Sequence, residues 1–192
     1  ALSSAASDVY KRQITGAGWN SDQPYTGNTY STTEYTTEEA NEENTRGLVA
    51  GQEVSGLTYE LTGTTVGDYT GSFSGELVIK AGEEDVTDNY LVTKTVGSLK
   101  IVASEIANYV TLTPQDVEKI YDGTELTAGQ ASAEDQNGNT LLIQYSEDGE
   151  AWTSDPAKIG AIQVSESKTV QVRVSAPGVY NGFVEGSQTI TI

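Results

Sequence analysis

Every second residue is apolar in Val170-Gln171-Val172-Arg173-Val174 and in Leu57-Thr58-Tyr59-Glu60-Leu61. A period of two puts those side chains on one face of an extended strand, whereas a helix needs 3.6. Short runs of the same kind recur at 76–79, 90–93, 98–102, 110–113, 141–145 and 188–192, and Gly, Asn and Asp cut each one short. Regular short strands separated by turn residues specify an all-β sandwich or barrel. The inward sets are Leu57, Tyr59, Leu61, Leu77, Ile79, Leu99 and Ile101, then Val110, Leu112, Ile143, Trp152, Val170, Val172, Val174, Ile190 and Ile192. Trp152 is the large aromatic filler that a small sandwich needs.

The pattern repeats. Gln23-Pro24-Tyr25-Thr26-Gly27 returns loosely as Lys119-Ile120-Tyr121-Asp122-Gly123, and Gly67-Asp68-Tyr69-Thr70-Gly71 as Gly178-Val179-Tyr180-Asn181-Gly182. The chain therefore reads as two autonomous β-domains, 14–102 and 103–192. Tyr25, Gly27, Tyr69, Gly71, Tyr121, Asp122, Gly123, Tyr180 and Gly182 are read as turn motifs. In such turns Asp accepts local backbone N–H groups, Gly supplies positive φ and Tyr packs beside the strand. The junction 103–108 contains neither Gly nor Pro, which implies a stiff connection. One segment dissents: Thr36-Thr37-Glu38-Glu39-Ala40-Asn41-Glu42-Glu43-Asn44 offers an N-cap Thr and an acidic first turn. It has no apolar stripe, so a solvated loop competes with a short helix that would make the first domain β-grasp-like.

The absence of Cys, His and Met removes the Ser-His-Asp triad, the Cys-His pair and thiolate or imidazole metal sites. Carboxylate, Lys and Tyr chemistry remain. The net charge of −18, from 10 Lys and Arg against 28 Asp and Glu, opposes nucleic acid and anionic lipid as partners. No apolar run reaches the roughly 20 residues of a membrane-spanning helix, so no direct membrane insertion is expected. Lacking disulfides, each domain must rest on its core.

Lys119-Ile120-Tyr121-Asp122-Gly123-Thr124, Val66-Gly67-Asp68-Tyr69, Asp85-Val86-Thr87-Asp88-Asn89-Tyr90 and Gly97-Ser98-Leu99-Lys100-Ile101 resemble the YDG-type and MBG-like repeat domains of bacterial cell-surface proteins. Tyr145-Ser146-Glu147-Asp148-Gly149-Glu150-Ala151-Trp152 and Val172-Arg173-Val174-Ser175-Ala176-Pro177-Gly178-Val179-Tyr180 are similar to bacterial immunoglobulin-like repeats. The resemblance covers nearly all of 14–192 and implies two tandem immunoglobulin-like β-sandwich domains. It also implies an extracellular setting, at a bacterial cell surface or secreted, and a non-catalytic role as adhesin stalk or spacer within a longer multidomain protein. Host or matrix glycoproteins, mucin among them, are the implied partners of a monomeric segment. The first domain departs from the pattern with Pro24-Tyr25-Thr26-Gly27 in place of Tyr-Asp-Gly. Residues 1–13, Ala-Leu-Ser-Ser-Ala-Ala-Ser-Asp-Val-Tyr-Lys-Arg-Gln, resemble a translated adapter at the end of a gene model from environmental DNA and read as a non-native segment, with an edge strand as their expected structure. They lack the apolar core of a signal peptide.

Four further chemistries are weighed on the residues themselves. Glycoside hydrolysis needs two facing carboxylates about 5 to 9.5 Å apart, and high acid density alone does not supply that geometry. Calcium takes oxygen ligands from acidic turns, so Glu83, Asp85 and Asp88 form one candidate set. Asp135, Asn137 and Asn139 form another, which departs from the EF-hand pattern at Thr140 and Ser146; a hairpin turn at Asn137-Gly138 is the structural alternative. No cofactor other than calcium is implied. Lys80, Lys94, Lys100, Lys119 and Lys168 could enter isopeptide crosslinks only if buried beside an amide or carboxyl, whereas strand lysines commonly face solvent. Trp19, Tyr25, Tyr30 and Tyr35 are candidates for stacking on sugars in a carbohydrate-binding module, against the alternative of core or edge packing.

Overall fold

The computed structural model describes residues 10–38 and 48–192. Strands dominate it, and the described residues contain 3-10 turns at Thr87–Asn89, Ile106–Asn108, Pro156–Lys158 and Val164–Glu166 but no α-helix. No described helix is long and apolar enough to cross a membrane. The fold is all-β. Of the segment expected as a helix or loop, Thr36 and Thr37 close the strand Tyr35–Thr37, and 39–44 lies outside the described residues.

The chain divides into two compact units. One comprises the residues up to Pro24 with Asn28–Val102, the other Tyr25–Gly27 with Ala103–Ile192. In the first unit Tyr10–Gly16 is the central strand of its sheet, parallel to Tyr90–Thr95 and antiparallel to Tyr35–Thr37. Among the described residues, 10–13 ladder only with 90–93, and the second partner strand joins from Ile14 onward. Ser98–Val102 pairs antiparallel with Gly67–Thr70 and parallel with Gln23–Pro24. Thr58–Gly63 lies between Tyr30–Thr32 and Ser72–Ser74, and Val78–Ala81 between Gln52–Ser55 and Glu84–Asp85. Alternation does what the sequence implies: Leu57, Tyr59 and Leu61 are buried while Thr58, Glu60 and Thr62 face water. Ile14, Ile79, Leu99 and Ile101 complete the interior, with Leu77 only half-buried.

Tyr59 organises this core. Its hydroxyl donates to the Ala17 carbonyl at 2.8 Å and accepts from the Gly97 amide at 3.0 Å, so the one polar atom of a buried ring is satisfied. A Cβ at Gly71 would stand 1.9 Å from that hydroxyl. Gly71 is therefore dictated by close approach and not by positive φ, which corrects its reading as a turn glycine. Tyr69, read with it as a turn residue, lies inside the strand Gly67–Thr70.

In the second unit, Leu142–Ser146, Lys168–Ser175 and Val184–Thr191 form an ordered sheet that Val117–Glu118 extends in parallel. Opposite strands pair as Val110–Thr113 with Ser132–Asp135 and Leu126–Thr127 with Gly160–Ala161. These two pairs are separate two-stranded ladders beside the four-stranded sheet. Ala128, Ala131, Ile159 and Ala161 from one side meet Tyr145, Val170, Val172 and Ile190 from the other. Burying each Val contributes about 1.5–3 kcal/mol. Buried Gln188 is fully used, accepting from the Gln115 amide and donating to the Gly129 carbonyl. Trp152, expected as the filler, is half-buried at the flank; Tyr145, with no exposed surface, fills the core and accepts from the Ala131 amide at 2.9 Å. The expected junction 103–108 belongs to this unit, where Ser104 and Ile106 are buried.

The two units do not share one strand order. Lys168–Ser175 and Val184–Thr191 of the second are antiparallel neighbours, whereas Tyr90–Thr95 and Ser98–Val102 of the first lie in different sheets. The echo of 67–71 at 178–182 is therefore one of sequence: the first copy is a strand and the second begins in a turn.

Candidate functional site

One concavity lies in the first unit. It is built by pressing the segment after Tyr10–Gly16 against the start of Ser98–Val102. The Trp19 amide donates to the Ser98 carbonyl at 2.9 Å, and Gly18 lies so close that a Cβ would meet the Ser98 backbone at 2.7 Å. Trp19, Asn20, Ser21 and Asp22 thereby face Asp68, Tyr69 and Lys100 across a cavity of about 320 Å³. Tyr30 braces the Trp19 ring edge-on, with centroids 6.1 Å apart. Antiparallel register sets Lys100 opposite Asp68, and Lys100 Nζ reaches Asp22 at 3.2 Å. The Tyr69 hydroxyl is tied to Thr65, donating to its carbonyl at 2.8 Å, which fixes the ring.

The structure separates the other aromatic candidates from Trp19 and Tyr30. Tyr35 packs edge-on against Phe73 at 5.9 Å. Tyr25 is buried within the second unit, 5.6 Å from the Tyr180 ring. Asp22 carries no local motif, and the motifs that hold Asp68 and Lys100 do not point to Trp19; strand register brings Lys100 and Asp68 together.

Tyr25 belongs to a polar cluster. Asp135 Oδ1 accepts from the Tyr180 hydroxyl at 2.8 Å, and Oδ2 accepts from the Asn139 amide and side chain, both at 2.7 Å. Asn137 donates to the Tyr180 hydroxyl at 3.0 Å, and Tyr109 stacks on the Tyr180 ring at 5.3 Å. Burial pushes Tyr180 up to about 12. Burial also pushes Asp135 upward, but the donors from Asn139 and Tyr180 outweigh it and hold the acid below its ordinary value. Both carboxylate oxygens are thus occupied by N–H and O–H donors, which corrects Asp135, Asn137 and Asn139 from calcium ligands to a hydrogen-bonded corner. The turn at Asn137-Gly138 joins strands of different sheets, so it is not a hairpin either.

The other acidic set sits on a true hairpin, Val78–Ala81 with Glu84–Asp85. Glu83, Asp85 and Asp88 are exposed, and Asp85 Oδ1 is engaged by the Thr87 amide at 3.0 Å and hydroxyl at 2.6 Å. Among the described residues no three acidic side chains converge as a metal site.

Asp122 behaves as the turn reading expects. It accepts from Lys119 at 2.7 Å and from the Thr124 amide at 2.9 Å. The Lys119 hydrogen bond, then those of Thr124, lower it to about 2. Gly123 and Gly27 have φ of 76° and 79°. Lys80, Lys94 and Lys100 are exposed and Lys119 and Lys168 half-exposed, which corrects the isopeptide candidates: none has the required burial. Trp152 is covered by the Arg173 guanidinium at 3.9 Å, and Phe183 lies on that guanidinium too, at 4.3 Å.

No protein-family model and no curated protein matches the chain. Among solved structures it is similar to extracellular domains 3-5 of Drosophila OTK, with 10% identity and a TM-score of 0.33. The match covers 94% of this chain and 59% of that one. A similarity this distant defines neither family nor activity.

Proposed function

We propose that the chain is a non-catalytic stalk or spacer of an extracellular bacterial surface protein. The carrying observation is that each unit sets its last strand parallel to an early one. Ser98–Val102 runs beside Gln23–Pro24, and Val184–Thr191 beside Val117–Glu118, where the Lys119 amide adds a bond to the Thr191 carbonyl at 3.0 Å. When two parallel neighbours are pulled apart by their opposite ends, they slide. Every hydrogen bond of the ladder is then loaded together. An antiparallel hairpin pulled from its open end instead breaks its bonds one at a time, each worth a net 0.5–1.5 kcal/mol or roughly so. The parallel arrangement suits a segment that transmits tension.

The acids support the same role. Asp85, Asp122, Asp135 and Asp148 are engaged in turns and corners, and three of them, Asp85, Asp122 and Asp148, lie in motifs that resemble the surface-repeat families. The −18 charge keeps neighbouring chains apart. Single-molecule extension tests the role. Because the chain has no Cys, attachment points can be introduced singly, and extension between the chain ends should need more force than peeling the antiparallel pair Lys168–Ser175 and Val184–Thr191 apart from its open end. Equal forces for the two geometries refute a tension-bearing design.

A further inference from the structure

We propose that the Trp19 concavity of the first unit is a binding site for a neutral saccharide of one or two rings. Its volume of about 320 Å³ lies at the low end of small-molecule sites, which span roughly 300–1,000 Å³. The wall is an aromatic face, Trp19, held by Tyr30; such a face accepts the C–H side of a pyranose. Around it stand polar groups that the fold leaves unused. The Trp19 indole N–H, the Asn20 amide, the Asp68 carboxylate and the Thr70 hydroxyl make no hydrogen bond within the described residues.

These groups complement a sugar. Two adjacent hydroxyls can donate to one carboxylate, here Asp68, while the indole and Asn20 N–H groups and Lys100 donate to hydroxyl oxygens. A purely structural rim would have turned such groups toward each other, as Asp135 and Asn139 do in the second unit. Charge decides the class of sugar. Two carboxylates, Asp22 and Asp68, face a single Lys100 that already pairs with Asp22, and the whole chain carries −18. A sialylated or sulfated glycan would meet net repulsion within the screening length of about 8 Å. The ligand is therefore uncharged, a hexose or N-acetylhexosamine unit.

The two tryptophans give a direct readout in the intact chain. Trp19 lines the site. Trp152 lies in the other unit, with its Nε1–H donated to Gly149 at 3.0 Å, and serves as internal control. In ¹⁵N spectra, titration with lactose, N-acetyllactosamine and chitobiose should shift the Trp19 indole resonance saturably with at least one of them and leave Trp152 in place. 3′-Sialyllactose should bind more weakly than lactose. Asp68 is exposed, so Asp68→Asn should keep the fold and weaken binding about tenfold, the value of a charge-assisted hydrogen bond. Trp19→Ala should abolish the binding heat that calorimetry records for the unaltered chain, with the Trp152 resonance reporting that the second unit is intact. No saturable Trp19 shift with any neutral disaccharide overturns the assignment, as does a preference for the sialylated sugar or an Asp68→Asn variant that binds unchanged. None of these outcomes bears on the force measurement above.

Discussion

Arg12 stands in the middle of a central strand with 1% of its surface exposed, and replacing it with Met should stabilise the first unit. Among the described residues its Nε and Nη2 have no hydrogen-bond partner, and Nη1 makes one long contact, 3.4 Å to the Glu38 carbonyl. Burial pulls the guanidinium below its ordinary value, opposed by the nearby Tyr90 and Tyr35. An unsatisfied buried donor costs about 1–3 kcal/mol, so two such nitrogens cost about 2–6 kcal/mol. Met keeps the unbranched stem and removes the polar head, and the void it leaves subtracts part of the gain. The net stabilisation should be about 1–4 kcal/mol, the range seen when buried ionic groups give way to packed apolar ones. With a urea slope near 2 kcal/mol per molar, the midpoint should rise by about 0.5–2 M. Trp19 fluorescence in a Trp152→Phe background follows the first unit alone. Arg12→Lys is the control: it keeps a charge and should bring no gain. A midpoint that falls in Arg12→Met would show that the guanidinium is satisfied in the folded chain and would refute the reasoning.

Gly71→Ala drives a methyl into the Tyr59 hydroxyl and should cost about 1–3 kcal/mol by urea denaturation. Tyr145→Phe strands the buried Ala131 amide and should lower the stability of the second unit by about 1–3 kcal/mol. Tyr180, raised to about 12 in the fold from an ordinary 10, binds its proton longer in the folded than in the unfolded chain. Stability should therefore fall as pH rises from 10 to 12, and Tyr180→Phe should remove that slope. Asp122, lowered to about 2 from 3.8, contributes stability above its unfolded value that is lost as pH falls from about 4 to 2. Its carboxyl should titrate near 2 by NMR, and Lys119→Ala should move that midpoint upward.

Local features were legible in the sequence and distant ones were not. Val170, Val172 and Val174 declare their strand because a period of two is a property of neighbours, and Asp122-Gly123 declares its turn because Asp122 reaches donors two and three residues away. Tyr25 reads as a bend from its flanks, yet its partner Asn139 lies 114 residues along the chain, and no local pattern specifies such a pairing. Arg12 is two residues from buried Ile14, so the two side chains share one strand face, and Arg12 is buried with it. The Trp19 site illustrates the same limit. Trp19 was recognisable as an aromatic candidate, but Asp68 and Lys100 reach it through strand register. Size alone points to Trp152 for the core, whereas Tyr145, with a hydroxyl that satisfies a buried amide, occupies the interior.

The tension-bearing role is tested most directly at Lys119, whose backbone amide closes the parallel ladder on Thr191. The measurement is the force that unfolds the second unit when the chain is extended by its ends, compared between Lys119→Ala and Lys119→Pro. Both variants lose the ion pair to Asp122, but only Pro removes the amide hydrogen. The unfolding force should drop in Lys119→Pro and stay near that of the unaltered chain in Lys119→Ala, because forced unfolding reads the barrier that those ladder bonds set. Equal forces in the two variants would show that the parallel ladder does not bear the load.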